Sequence, residues 1–398
     1  MASAIMRSWE HIGYNKNTGT IIAIARKSIV FARSIDFGVT WTDIRLPSHI
    51  NNTLVYSKII CNPYTNEWLV ICMNKNAGML LSTDDGLTWT HRTSFITMPS
   101  SASVDIMDRC YIDVAFNDVN SVDREWIFTT RVFATSASTE CNQLNVSLSL
   151  SKASSLTLMF SPSNNNEKKM NVELSTNPVP GSSTPGADAS AAYPSATNLY
   201  HDIHDLLYIP LTGKYVGVAH RNFGLVANQL LLKAPTELDR SSLNVGGVVI
   251  FTFNSSGYPS CSPIRSTKWK DSPWYALAYD ETERILIGSR GKYIVYSEDG
   301  GEYWSKSVDP TMETYDPGPT PIDSELNIRS LAAANGVIIA TMEANTDKIY
   351  RSIDRGNTWT QITLSEPGLW TVKHCGNRFI MVSFNSNKTA RSLTLDEV

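Results

Sequence analysis

The chain offers few residues whose types and spacing suggest chemistry. Arg221, in AHRNFG, and Arg290, in GSRGKY, each follow an apolar strand-like run and could face a shared pocket, or could simply be solvated turn arginines. In RSTKWKDSPWY, Trp269, Trp274 and Tyr275 stand among Lys268, Lys270 and Asp271, rings and polar groups that suit stacking on a sugar or contact with a protein. Trp274 and Tyr275 also read as the start of an inner strand, where they would be core. HDIHD supplies His201, Asp202, His204 and Asp205. Two histidines three apart share a face only on a helix, and on a strand they point to opposite sides, so no metal site is expected. Arg45, in Arg45-Leu46-Pro47, reads as the tail of a fourth strand. No glycine-rich phosphate loop, nucleophile elbow or Ser/His/Asp spacing occurs, and no cofactor is expected.

The elements that must position these residues show in a repeat. Ser-x-Asp-x-Gly-x-Thr-Trp recurs as Ser34, Asp36, Gly38, Thr40, Trp41, then as Ser82, Asp84, Gly86, Thr88, Trp89. It returns as Ser297, Asp299, Gly301, Trp304, with Tyr303 in the threonine place, and as Ser352, Asp354, Gly356, Thr358, Trp359. The pattern predicts a tight hairpin turn. Asp accepts from backbone N–H groups ahead of it, Gly supplies positive φ, the hydroxyls cap other turn amides, and Trp anchors the hairpin on a sheet. A decayed copy is read at 151–158 (SKASSLTL), and a positional one at 233–239 (KAPTELD).

Upstream of each box an apolar run, a polar turn and a second apolar run recur, at 11–25, 58–73, 275–289 and 328–342. The same pattern appears without a strong box at 111–130, 204–220 and 371–383. The second runs, such as IIAIA and WLVIC, scarcely alternate, which means both faces are covered. The prediction is an all-β chain, a β-propeller of four-stranded antiparallel blades with a period of roughly 40–50 residues. Seven blades are expected, with six the alternative. NKTARSLTLDEV gives the last blade a third strand and the N-terminal MASAIMRS would supply its fourth, closing the ring. Residues 1–398 form one domain in this reading, with a long Ser/Asn/Pro-rich inter-blade loop at 161–198 that is either a plain insertion or a docking arm.

These residues resemble the Asp-box, or bacterial neuraminidase repeat, of the sialidase-like β-propellers. The resemblance implies a propeller whose boxes lie at the periphery and are structural. It implies function only loosely, because the same boxes serve sialidases, other glycosidases, sorting receptors, photosystem assembly factors and phage proteins. Sialidases hold the sugar carboxylate with three arginines and use a tyrosine nucleophile helped by a glutamate, with an aspartate as acid/base. Here the Arg-Ile-Pro type motif that should precede the first box has only Arg45-Leu46-Pro47, after the box, and no second and third arginine emerge beyond Arg221 and Arg290.

Bulk composition narrows the rest. Acidic residues number 38 against 34 Lys plus Arg, without a basic cluster, which argues against a nucleic-acid groove. The apolar stretch at the start is too short for a secretory signal and no run suits a membrane span, so neither export by a signal peptide nor membrane insertion is expected. Cys61, Cys72, Cys110, Cys141, Cys261 and Cys375 lack metal spacing and are expected to be reduced thiols. The reading is therefore a non-catalytic binding or scaffold propeller, a phage tail or other virion component contacting neighbouring subunits or a surface glycan. Its partners would be virion or assembly subunits and, as a further candidate, a carbohydrate. Its location would be the virion tail if viral and the cytoplasm otherwise. The alternative is a diverged sialidase-like glycoside hydrolase.

Overall fold

The computed structural model describes residues 9–50, 53–72, 77–92, 108–117, 125–133, 146–153, 168–171, 205–219, 247–253, 259–262, 274–290, 293–302, 304, 327–356, 358–384 and 391–394. Every regular element among them is a strand, and no helix among them is long and apolar enough to cross a membrane. Each of the seven apolar–turn–apolar stretches folds as an antiparallel hairpin.

The first sheet is β1 (His11–Tyr14), β2 (Ile21–Ile24), β3 (Val30–Ser34) and β4 (Thr42–Arg45), paired in chain order, with Arg45 the exposed last residue of the fourth strand. The second is β5 (Tyr56–Asn62), β6 (Glu67–Cys72), β7 (Met79–Ser82) and β8 (Thr90–Arg92). The third is β9 (Asp108–Asn117), β10 (Glu125–Phe133), β11 (Val146–Ala153) and β12 (Lys168–Asn171). The fourth is β13 (Asp205–Ile209), β14 (Lys214–Ala219), β15 (Gly247–Phe253) and β16 (Pro259–Ser262). Then come β17 (Trp274–Asp280), β18 (Ile285–Arg290) and β19 (Tyr293–Ser297). The last sheet joins β20 (Ile328–Ala334), β21 (Val337–Met342), β22 (Thr346–Ser352), β23 (Thr360–Cys375), β24 (Arg378–Phe384) and β25 (Arg391–Thr394). β23 serves two sheets, since residues up to Gly368 pair with β22 and those from Leu369 pair with β24. The described residues thus form seven small meanders.

One expectation changes. Lys168–Asn171 pairs with β11 as an outermost strand, so the segment read as loop from 161 gives a strand to the third sheet. Its polar Lys-Lys-Met-Asn sequence suits a sheet edge and carries no apolar signal. The chain clusters into two compact units. One holds residues 1–93, 275–298 and 305–398, the other 94–274 and 299–304. Both are built from the same repeating meander, so the division separates groups of sheets rather than two kinds of domain.

In the first unit neighbouring sheets share cores. Ile22, Ile24 and Phe31 of the first sheet meet Tyr56, Trp68 and Trp89 of the second, and Phe31 lies edge-on to Tyr56 and Trp89 at 5.5 and 5.1 Å. Gly13 leaves room for this, because a Cβ there would lie 2.5 Å from the Trp68 ring. The other face of the first sheet, Ile12, Ile21 and Ala23, packs on Cys375, Ile380 and Val382 of the last sheet. Burial on both faces explains why β2, β6 and β24 are apolar without alternation. Trp9 N–H donates to Ser383 O at 2.9 Å, bringing the start of the described chain to the final sheet. Residues 1–8, expected to add the closing strand, lie outside the described residues. In the second unit Asp113 of β9 accepts from Leu206 N–H of β13 at 2.6 Å and from Val114 N–H at 2.8 Å, and Trp274 stacks edge-on with Trp304 at 4.7 Å.

Candidate functional site

The turns that join third and fourth strands carry the densest polar chemistry. In the first, Ser34 Oγ donates to Asp36 Oδ1 at 2.7 Å and accepts from Gly38 N–H at 2.8 Å. Asp36 also accepts from Thr40 N–H at 2.9 Å and Thr40 Oγ1 at 2.5 Å, while Trp41 Nε1 donates to Gly38 O at 2.9 Å. Ser82, Asp84, Gly86, Thr88 and Trp89 repeat every one of these bonds, and so do Ser352, Asp354, Gly356, Thr358 and Trp359. Trp89 and Trp304 are buried, whereas Trp41 and Trp359 are half-buried. Burial pushes the Asp36 and Asp84 carboxyls up, but the combined Thr, Ser and backbone hydrogen bonds hold both below the ordinary carboxylate value. Their lone pairs are occupied by the turn itself, which is structural work.

The residue between Asp and Gly does something else. Phe37, Asp85 and Arg355 have left-handed φ of 56°, 58° and 62°, and Gly300, in the same place of its box, has 76°. Each is set against the turn joining the first two strands of another meander. Asp85 shows the fullest case. Its Oδ1 accepts from Asn15 Nδ2 at 2.9 Å and Trp68 Nε1 at 3.0 Å, and its Oδ2 accepts from Thr20 Oγ1 at 2.5 Å and Arg33 Nη2 at 3.0 Å. Arg33 Nε donates to the Asp85 carbonyl at 3.0 Å. Burial raises the Asp85 pKa, and the bonds from Thr20, Trp68, Asn15 and Arg33 outweigh it and lower it. Arg355 instead pairs with Glu283 at 2.7 Å and Glu298 at 3.4 Å. Phe37 covers Gly376, where a Cβ would lie 2.7 Å from the Phe37 ring and 2.9 Å from Tyr14 Oη. At Gly300 a Cβ would sit 2.6 Å from Thr212 Oγ1, and Lys214 beside it pairs with Glu302. One backbone geometry thus docks by carboxylate, guanidinium, ring or bare backbone.

The receiving turns are equally regular. Asn15, Asn62 and Asp280 are buried, and each side chain accepts from the N–H two residues on, at 3.0 Å. Sequence reading missed this docking position because its residue type changes from box to box while its φ does not.

Of the residues singled out for chemistry, Trp269, Arg221, His201, Asp202 and His204 lie outside the described residues. Arg290 ends β18, and its side chain is likewise outside them. Trp274 is buried at the start of β17, as the core reading required. The partial box at 151–158 has only its first three residues described, as the end of β11, and 233–239 lies outside. Among the described residues no cluster of His, Cys, Asp and Glu could hold a metal ion. Cys61, Cys72 and Cys375 are buried free thiols, with burial pushing Cys72 and Cys375 up to about 12.

Solved structures resemble the chain along nearly its whole length. YCF48 bound to D1 peptide superposes with a TM-score of 0.52 at 12% identity, over 98% of this chain and 93% of that one. YCF48 from Cyanidioschyzon merolae gives 0.51 at 13%, over 99% and 97%. The Myceliophteria thermophila Cps50 (Swd1) beta-propeller domain gives 0.51 at 8%, over 98% and 96%. The fold is a β-propeller. Identities this low carry the propeller architecture and nothing of its activity. No family model matches the chain, and no curated protein does.

Proposed function

We propose that this chain is a non-catalytic β-propeller that binds and scaffolds other proteins. The observation that carries the reading is the outward side of the box turns. Their polar groups are consumed internally, yet they hold out aliphatic side chains, with Ile35 65%, Val39 64%, Leu87 52% and Ile353 66% exposed. These recur at the variable positions of three boxes, and apolar groups repeated in the same kind of turn suit protein contact. A propeller of the same fold has been captured with a peptide, the D1 peptide on YCF48, which fits the reading. The repeated Ser–Asp–Thr–Trp bonding supports grouping the chain with the Asp-box propellers. Within that group the specific setting we propose is a phage tail or other virion component contacting neighbouring subunits or a surface glycan, with the Ser/Asn/Pro-rich stretch after β12 as a docking arm.

The test is cross-linking of the tagged chain in purified particles, combined with a sialoside hydrolysis assay. Cross-links from the box turns to one stoichiometric neighbouring subunit are expected. Turnover of sialosides at ordinary enzyme rates overturns the non-catalytic reading, and absence of the chain from particles overturns the virion setting.

A further inference from the structure

One position on the third strand recurs in the first unit. Arg33, Tyr296 and Arg351 each stand just before the opening serine of a box. Register sets them in the same place, Arg33 opposite Ile22, Tyr296 opposite Ile287 and Arg351 opposite Ile339. Those three partners pack toward the following meander, Ile22 with Trp68, Ile287 with Ile338 and Ile339 with Phe379. Residues directly opposite one another share a face of the sheet, so Arg33, Tyr296 and Arg351 are turned toward the following meander as well.

In two of the three cases the docking residue of the next box meets them. Arg33 Nη2 donates to Asp85 Oδ2 and Arg33 Nε to the Asp85 carbonyl, both at 3.0 Å. Tyr296 lies close enough to Arg355 for their charges to act on one another. Arg351 differs. The meander after it is made by the end of β23, β24 and β25, and no box turn follows it among the described residues. The sequence there, RSLTLDEV, has neither the glycine nor the tryptophan of a box. Among the described residues Arg351 has no hydrogen-bond or ion-pair partner. Its Nε is buried, but its two terminal nitrogens are not among the buried atoms, so the stem lies along the sheet and the head meets solvent. Two residues on, Ile353 is 66% exposed, an open apolar neighbour for the open guanidinium.

We propose that Arg351 is the docking point for an acidic side chain of a partner protein, carried on a turn that sits on Arg351 as Asp85 sits on Arg33. The carboxylate takes the two terminal nitrogens, a planar fork that matches its two oxygens. An apolar residue beside the carboxylate covers Ile353, which favours a protein segment over a small anion. The inference rests on the protein-binding reading above and names the group that the partner presents.

The test uses the full chain and a fluorescein-labelled cyclic peptide carrying residues 80–91, the second box with Asp85 at its tip. Its binding is compared by anisotropy with that of the same peptide holding Asn in place of Asp85. The Asp peptide is expected to bind at least about tenfold more tightly, the size of one charge-assisted bond. Arg351→Gln is expected to bind both peptides equally, and because Arg351 has no partner to lose, the variant is expected to fold. Arg351→Lys keeps the charge without the fork and is expected to discriminate less than wild type; it carries the comparison should Arg351→Gln fail to fold. Ile353→Ser is expected to weaken both peptides alike, and Arg45→Gln neither. Equal binding of the two peptides to wild type, no binding of either, or undiminished discrimination by Arg351→Gln overturns the site. A preference that emerges only after Asp396→Asn and Glu397→Gln shows this chain's own acids holding Arg351, and overturns the partner's part. Failure here with box-turn cross-links intact removes this site alone, whereas loss of both removes the protein-binding reading.

Discussion

Asp85 carries more structure than any other described side chain of the boxes. Its carboxylate and carbonyl gather a hairpin turn, an arginine and an indole from two sheets. Asp85→Ala strands Asn15 Nδ2, Trp68 Nε1 and Arg33 in a half-buried place, and is expected to cost about 1–3 kcal/mol in urea unfolding. The acid dependence follows from the lowered carboxyl. As pH falls, the unfolded chain takes up the proton first, near the ordinary value of about 3.9. The contribution of Asp85 is therefore whole above that pH and drains away as pH drops through the lower folded value. The difference in unfolding midpoint between wild type and Asp85→Asn is expected to hold steady above about pH 4 and to shrink below it.

At the scale of elements, the box turn is a fixed frame with one interchangeable position. Three boxes place a side chain there at positive φ, which costs roughly 1–2 kcal/mol, and the fourth uses glycine. Arg355→Gly trades an ion pair that is largely exposed, worth about 0–1 kcal/mol, against relief of that strain, and is expected to change stability by less than about 1 kcal/mol. Gly300→Ala is the opposite case. It adds strain and drives a methyl into Thr212, a stiff β-branched residue, with an expected loss of about 1–3 kcal/mol by thermal or urea unfolding. The first two strands of the sheets were legible in the sequence, because burial on both faces makes second strands such as β2 and β6 unbroken apolar runs, set off from the first by a polar turn. The box hydrogen bonds were legible for the same kind of reason, since Ser, Asp, Gly and Thr each have one job in them. β12 was not, being polar on an edge, and neither were the bulges in β5 and β20, where pairing skips Ser57 and Arg329. A bulge is a fault in pairing register, which leaves no mark in residue type.

Across the first unit, the seam between the first and last sheets is the place where the two ends of the chain must agree. Its shared core of Ile12, Ile21, Ile380 and Val382 is capped by Phe37 on Gly376 and by the bond from Trp9 to Ser383. Phe37→Ala is expected to speed amide exchange in β1 and in β24 severalfold while leaving β6 and β7 little changed, as a local opening would. Uniform acceleration across all sheets would show instead that the seam opens only when everything unfolds.

The docking of Asp85, Arg355 and Gly300 has a direction: each grips a turn that stands earlier in the chain. A nascent polypeptide leaving the ribosome can therefore add one sheet after another, every new box finding its socket already made. Phe37 is the exception, since Gly376 stands far later in the chain than Phe37. The first box must wait, its ring uncovered, until the turn between β23 and β24 has been made, and that interval is when a chaperone or a wrong partner has its opening.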